Sequence, residues 1–470
     1  MVNHLPITIS NRTSAQIKIN HLSFDDTVAP HQHTFTKAIP TKIKLKNLKI
    51  SVSIEAERPN EIQIKFSESN RIRKFKRFWK LKIDYGVHQM DQMLEKGKRS
   101  RFEVFQSISD DGSVTLMAIT ARDFSSWMSH LSDDSSISSL TLPGTHNTCA
   151  LYGWPLGTCQ TRTLSRQLKD GIRFLDLRLG LPKGPGSPLT AYHGFHSQSI
   201  TFTEILKTLI NFVTEQPSET IIISIKQEDK GDGFKESLMK EMIDFEGAES
   251  FKNRWWIDDC LPQSLGLVRG KLILFSRIES LTEPSISEPE GIRLPSWPNN
   301  SREIWETKIP NTNVAVQDWY DIGSFLSISK KSSLACLSLC RALWEPSKYD
   351  PTSNEEARNV VQTGQNVNIQ EIQESSEVQK VQPETDIPTW VITFLSASSP
   401  LLAFPVICAK GFGWPKMGLG IEGVNSRVSR WLVSRRDEES EPSIKGVVCL
   451  MDYYQSPKES LVSLLVDCNF

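Results

Sequence analysis

A chain of 470 residues, 38% hydrophobic and 23% charged, is long enough for a large core and more than one domain, and its composition excludes global disorder. Its 54 Lys and Arg against 55 acidic residues leave a net charge of −1, which gives no electrostatic reason for a nucleic-acid partner. The eight cysteines, none in CxxC or Cys/His zinc spacing, read as intracellular thiols rather than a disulfide framework.

The N-terminus "MVNHLPITISNRTSAQ" has no basic region followed by an apolar run, so no secretory signal is expected and the expected location is cytoplasmic. Residues 1–122 read as a small all-β, sandwich-like domain. Alternating runs recur at "QIKI" (16–19), "KIKL" (42–45), "KISVSIEA" (49–56), "EIQIKF" (61–66), "WKLKIDY" (79–85) and "SVTLMAI" (113–119). In the fifth, Trp79, Leu81, Ile83 and Tyr85 share one face and Lys80, Lys82 and Asp84 the other, the period of a half-buried strand. The basic run "NRIRKFKRFWKLK" (70–82) is either a solvated strand edge or a patch that docks on an anionic leaflet.

From residue 123 to 470 the pattern changes. In "TLPGTHNTCA" (141–150) a Pro–Gly turn after an apolar run presents His146, flanked by Thr145 and Asn147. Compact apolar runs then follow at "IRFLDLRL" (172–179), "TIIISIKQ" (220–227), "GKLILFSR" (270–277), "NVAVQDW" (313–319), "WVITFLSA" (390–397) and "GVVCLMDYY" (446–454). Between them lie helical patterns such as 201–216, where Phe202, Ile205, Leu206, Leu209 and Phe212 form one stripe. Strands of this kind alternating with helices indicate a parallel sheet covered on both faces, in a barrel or a doubly wound fold. Asp176, Arg178, Lys226, Arg277, Asp318 and Asp452 then fall at the C-terminal rim, where barrels keep their chemistry. The polar stretch 345–386 is expected to be a disordered insertion within the barrel. The stretch 390–414 is broken by Ser398, Ser399, Pro400 and Pro405 and reads as a buried strand plus loop, not a membrane span.

A second histidine, His193, lies in "LTAYHGFHSQ" (189–198). Two imidazoles on rim loops, with an arginine on the strand between them, suit displacement at a phosphodiester: one takes a proton, one gives a proton, and the guanidinium holds the anion. His196, His88 and the histidines at 31 and 33 read as surface or structural residues.

The segments "LPGTHNT", "GIRFLDLRLG", "AYHGFHSQSITFTEIL" and "QPSETIIISIKQE", in that order, resemble the X domain of phosphatidylinositol-specific phospholipases C, with weaker matches at "GKLILFSR", "VAVQDWYD" and "VVCLMDYY". The resemblance spans 126–470 without the 345–386 segment and does not reach the N-terminal β domain. It implies an α/β fold, a (β/α)8 TIM-type barrel, acting on phosphatidylinositol at a membrane surface. It further implies His146 as general base oriented by Asp452, and His193 as general acid. Arg178 would neutralise the phosphoryl oxygens, held by Asp176; Lys226, Arg277 and Asp318 would bind inositol hydroxyls, and Tyr320 would stack on the ring.

Eukaryotic members of that family hold Ca²⁺ with an Asn beside the first histidine and with strand acids. Asn147 fits that pattern, but Arg178 and Lys226 occupy ligand positions, and Ca²⁺ takes about 6–8 oxygens. The expected site therefore has no metal and no cofactor, and resembles the bacterial form. Asn147, the neighbour of the base, departs from that form, which carries an Asp there. A glycosylphosphatidylinositol phosphodiesterase is a variant of this reading, and two readings of other kinds stand beside it. A glycerophosphodiester phosphodiesterase needs carboxylates clustered round a metal, where this rim offers Arg178 and Lys226; a phosphoinositide-binding adaptor would not need both histidines and Asp452. Asp318 and Tyr320 line the pocket or cap the following helix, and Trp154, Trp255, Trp256 and Trp297 are core residues or an apolar rim for a bilayer.

Overall fold

The computed structural model describes residues 4–12, 17–21, 24–28, 35–40, 49–54, 60–65, 88–89, 92–93, 102–108, 114–181, 187–229, 233–278, 291–341, 389–399, 403–415, 419–436, 444–457 and 460–470. The runs read at 42–45 and 79–85, the basic stretch 70–82 and the segment 345–386 lie outside the described residues.

Seven strands build the frame: β1 (Leu142–Thr145), β2 (Phe174–Gly180), β3 (Ile221–Gln227), β4 (Leu272–Arg277), β5 (Thr312–Gln317), β6 (Thr389–Phe394) and β7 (Val447–Met451). They pair in parallel in the order β4-β3-β2-β1-β7-β6-β5. Burial on both faces is what their unbroken Val, Ile and Leu runs require. The sheet is strongly curled. Phe275 of β4 and Trp390 of β6 lie five positions apart in the sheet order, yet their ring centroids are 6.0 Å apart, and Phe174 of β2 reaches the same Trp390 at 6.3 Å. The interior is therefore a packed aromatic core.

The expected eight-stranded closure is not what the described residues form. No ladder among them joins β4 to β5, and the sheet is open at that seam. Side chains bridge it instead: Trp297 packs edge-on against Phe275 (6.4 Å) and Phe394 (6.0 Å), and Arg277 reaches Asp318 at 3.7 Å.

A second correction concerns Pro143–Gly144, which is not a turn. Leu142–Thr145 is a strand at the middle of the sheet, and the chain turns only at Asn147, whose φ is +40°. Gly144 is required by packing: a Cβ there would meet the Phe174 Cβ and carbonyl oxygen at 3.1 Å.

Among the described residues the α-helices are α1 (Leu164–Lys169), α2 (Phe202–Glu215), α3 (Phe234–Glu246), α4 (Ala248–Arg254), α5 (Ile328–Cys340), α6 (Pro405–Lys410), α7 (Val424–Arg436) and α8 (Ser460–Asp467). All five residues of the stripe read on α2 are buried, and Thr201 with Glu204 closes a capping box at its start. The loop expected after β6 holds α6, begun by Pro405 where a missing N–H costs nothing, and a hairpin of Gly411–Trp414 with Leu419–Glu422.

Strands 35–40, 4–11, 114–120, 102–108 and 88–89 form one five-stranded sheet in that order; 24–28, 17–21, 49–54, 60–65 and 92–93 form another. Pro6 and the Asp25–Asp26 pair disguise two of these strands in the sequence. Phe105, Met117 and Ile119 are buried in the same core as the barrel, and Arg122 pairs with Asp467 of α8 at 2.7 Å.

Below the sheet, at the end away from the β-strand C-termini, Arg173 and Glu219 form a fully buried ion pair. Arg173 Nε and Nη2 donate to Glu219 Oε2 at 2.9 and 2.8 Å, and its other N–H groups reach the carbonyls of Leu168, Ile172, Phe124 and Ser125. Glu219→Ala leaves a buried guanidinium uncompensated and is expected to cost about 3–5 kcal/mol, read as a lower urea midpoint. A midpoint unchanged from wild type would contradict that assignment.

Candidate active site

Register assembles the site. Parallel pairing places Arg178, Lys226 and Arg277 at one level on β2, β3 and β4. Asp176 lies two residues before Arg178 and so points to the same face. Thr145 is level with Leu175 on one side and Met451 on the other, which sets His146 between Asp176 and Asp452.

His146 Nδ1 lies 2.8 Å from Asp452 Oδ1, and Arg178 Nη2 lies 2.8 Å from His146 Nε2. A guanidinium only donates, so Nε2 is the acceptor and Nδ1 carries the proton given to Asp452. That tautomer leaves the outward nitrogen able to take a proton. The backbone is pinned too: Gln160 Nε2 donates to the carbonyls of His146 (2.9 Å) and Met451 (2.8 Å), and Asn425 Nδ2 to that of Asp452 (2.9 Å).

Asp176 is fully buried. Burial alone would raise its pKa, but Arg178 (3.4 Å), Arg277 (3.5 Å), His146 and the Asn147 N–H (3.0 Å) together hold the carboxyl well below the usual range. Arg277 stacks on Trp297 at 3.8 Å, and Trp297 Nε1 donates to Asp318 Oδ2 at 2.8 Å. Burial, then the charges of Arg178 and Arg277, push the Lys226 amine down. Three cations in one row at a half-closed mouth favour an anion between them.

His193 ends the strand Thr190–His193, which turns at Gly194 (φ +56°) into His196–Thr201. Its Nδ1 donates to the Gly157 carbonyl at 3.0 Å, and its ring lies 6.3 Å from that of His146 at a 90° angle. Burial pushes the His193 pKa down; the Gly157 carbonyl opposes this, while Arg178 and His146 add to it. Glu228 ties the hairpin down by accepting from the Gly194 N–H at 2.8 Å, and lies 3.9 Å from Arg178.

The other expected residues divide. Asp318 meets Arg277 and Trp297 and caps no helix, since Ser324 and Ser327 hold the cap positions there. Tyr320 stands further out, half exposed, with its hydroxyl on Asn299 (2.6 Å) and its N–H on Asn300 (3.0 Å). Asn147 is buried, and its Nδ2 has no hydrogen-bond partner among the described residues. Trp255 is core, Trp297 lines the site, and Trp154 is 76% exposed.

Several residues went unread in the sequence. Glu228 was findable, since it stands two positions after Lys226 at the same rim. Gln160, Lys331 and Cys159 had no signal, because tertiary contacts alone bring them in. Lys331 of α5 is fully buried, donates to Gln317 Oε1 (2.9 Å) and the Trp319 carbonyl (2.6 Å), and is pulled down by burial to about 7. It steadies the chain that carries Asp318. Cys159 lies 3.8 Å from His193 Nδ1; burial, then Asp452, push its thiol well above the ordinary range.

A carboxylate-held imidazole facing a carbonyl-held one, beside a row of cations at the C-terminal edge of a curled parallel α/β sheet, is equipment for acid–base chemistry on an anion. Residues 134–277 match the family model described as "Phosphatidylinositol-specific phospholipase C, X domain", and the resemblance read in the sequence holds over that segment. The 1-phosphatidylinositol phosphodiesterase of Listeria monocytogenes is 31% identical over 158 residues, 32% of this chain; the chain spans only 48% of that relative. Two solved structures of phosphatidylinositol-specific phospholipase C from Staphylococcus aureus share the fold. One is the F249X mutant (TM-score 0.52) and the other concerns modulation of membrane binding (TM-score 0.51); both are 18% identical and cover 74% of this chain and 98% of theirs.

Proposed function

We propose that the protein is a phosphatidylinositol-specific phospholipase C that works by His/His acid–base catalysis without a metal. The observation that carries this is His146, with Asp452 on Nδ1 and Arg178 at 2.8 Å from Nε2. Substrate phosphate draws Arg178 onto its oxygens and leaves Nε2 to the inositol 2-hydroxyl. That oxygen, losing its proton to His146, attacks phosphorus; the bond to the diacylglycerol oxygen breaks, and protonated His193 supplies the leaving oxygen's proton. The products are diacylglycerol and a cyclic 1,2-phosphate, which water opens with the two imidazoles exchanging roles. Asp176 keeps Arg178 aligned, Lys226, Arg277 and Asp318 meet ring hydroxyls, and Tyr320 stacks at the outer edge. A guanidinium against His146 fills the place of a cation, and Ca²⁺ would need about 6–8 oxygens there.

Residues 1–122 are read as an accessory β-sandwich unit on a catalytic unit of 123–470, supported by the two five-stranded sheets. The substrate surface is a membrane containing phosphatidylinositol. Tyr152, Trp154 and Leu156 after β1, Phe195 after β2, Leu326 after β5, and Phe412 and Leu419 after β6 are exposed, all in segments that follow the C-terminal ends of these strands, the end of the sheet that holds the site. No helix among the described residues is long and apolar enough to cross a membrane. Eight free thiols suit the cytoplasmic side.

Vesicles of phosphatidylinositol are expected to yield diacylglycerol and vesicles of phosphatidylcholine none; no diacylglycerol from either would overturn the reading. Trp154→Ala with Phe195→Ala is expected to weaken vesicle binding about tenfold or more, two aromatics being removed from the bilayer interface, while short-chain monomeric substrate is cleaved as before. Equal loss on both substrates would count against docking by this rim.

The pH dependence follows from His193. Its folded pKa is depressed, and the acid must carry its proton, so kcat/KM is expected to fall as pH rises through a value below the ordinary 6.5 or so of imidazole. His193→Ala should remove that limb. A limb well above 6.5 or so in the wild type would exclude His193 as the acid in the free enzyme.

A further inference from the structure

Cys159 has no part in the reaction above, yet it stands against both catalytic groups. A ring nitrogen of His146, Cys159 Sγ and an Asp452 carboxylate oxygen all lie within 4.8 Å of one another, and Cys159 Sγ is 3.8 Å from His193 Nδ1. Zinc bound by N, S and O donors at about 2.0–2.3 Å sets neighbouring ligand atoms roughly 3.3–3.8 Å apart. The 2.8 Å separation of His146 Nδ1 from Asp452 is shorter than this, and it opens when an ion replaces the shared proton.

We infer that His146, Cys159 and Asp452 form a site for a thiophilic divalent cation such as Zn²⁺, and that its occupation switches the catalytic base off. The switching, though not the binding, rests on the function proposed above. Soft thiolate with imidazole selects Zn²⁺ over Ca²⁺ or Mg²⁺, which want oxygen. The chemistry balances without a further reactant. The thiol proton goes to solvent, the ion takes the place of the Nδ1 proton, and that proton moves to Nε2. The imidazole stays neutral, but the nitrogen that must accept a proton from the substrate now carries one. It also meets the Arg178 N–H donor to donor, which expels the guanidinium from its place. His193, by the sulfur, or a water completes the shell.

The test uses the full chain after EDTA treatment. Co²⁺ titrated into the wild type is expected to give a near-ultraviolet thiolate-to-cobalt charge-transfer band that Zn²⁺ removes, and Cys159→Ala, with wild-type melting, to give none. On phosphatidylinositol vesicles, Zn²⁺ should inhibit the wild type reversibly, with EDTA restoring activity, and Cys159→Ala and Cys159→Ser should each need at least about tenfold more Zn²⁺ for equal inhibition. Absence of the band in the wild type, or equal Zn²⁺ sensitivity in all three proteins, overturns the site. A chain that cleaves no lipid yet shows the Cys159-dependent band would refute the proposed activity and leave the metal site standing.

Discussion

His146→Ala is expected to lower phosphatidylinositol cleavage by about 10²–10⁴-fold, the usual contribution of a positioned general base. The loss should fall on kcat more than KM, because the deleted interaction is with a proton in flight rather than with the bound head group. Asp452→Asn should lose less: the imidazole survives, but an amide no longer enforces the tautomer that Arg178 and Asp452 together impose. The acid and the base separate by leaving group. With inositol phosphate esterified to a nitrophenol, the departing oxygen needs no proton, so His193→Ala should regain most of its activity on that substrate. His146→Ala should regain none, since the attacking 2-hydroxyl is the same. Rescue of both variants, or of neither, would put the roles in the wrong hands.

Arg178→Lys is expected to cost about 10²–10³ in kcat, similar to the removal of one donor aimed at charge developing in a transition state. Lysine keeps the charge but not the planar fork that can meet Asp176, Glu228 and His146 at once. The variant should keep the vesicle affinity proposed for the apolar rim, and its fold, since Arg178 is partly exposed at the mouth. Wild-type kcat in Arg178→Lys would mean that the guanidinium orders the resting site and takes no part in charge stabilisation.

Much of the frame was legible because parallel strands buried on both faces must be apolar throughout. Every apolar run read between 172 and 454 overlaps a strand of the sheet. β1 was illegible for the opposite reason: four residues holding Pro143 and Gly144 look like a turn, and only the close approach of Phe174 explains the glycine. Helix α6 and the hairpin after it hid behind Pro405, which starts a helix as readily as it ends one. In the site, polar residues interrupting or ending apolar strands were readable, which is how Asp176, Arg178, Lys226, Arg277, Asp318 and Asp452 came forward. What surrounds them was not. The Gly157 carbonyl on His193, the Trp297 face under Arg277 and the thiol of Cys159 are brought in by loops whose course no local pattern encodes.

The most direct test of a metal-free His/His phosphodiesterase is a phosphorus NMR time course on phosphatidylinositol vesicles in EDTA, then with Ca²⁺, beside His146→Ala. The account predicts a cyclic inositol phosphate signal in EDTA, unchanged by Ca²⁺ and missing from the variant. A signal that appears only with Ca²⁺ would contradict it, and Arg178 would then have to yield its place to the ion.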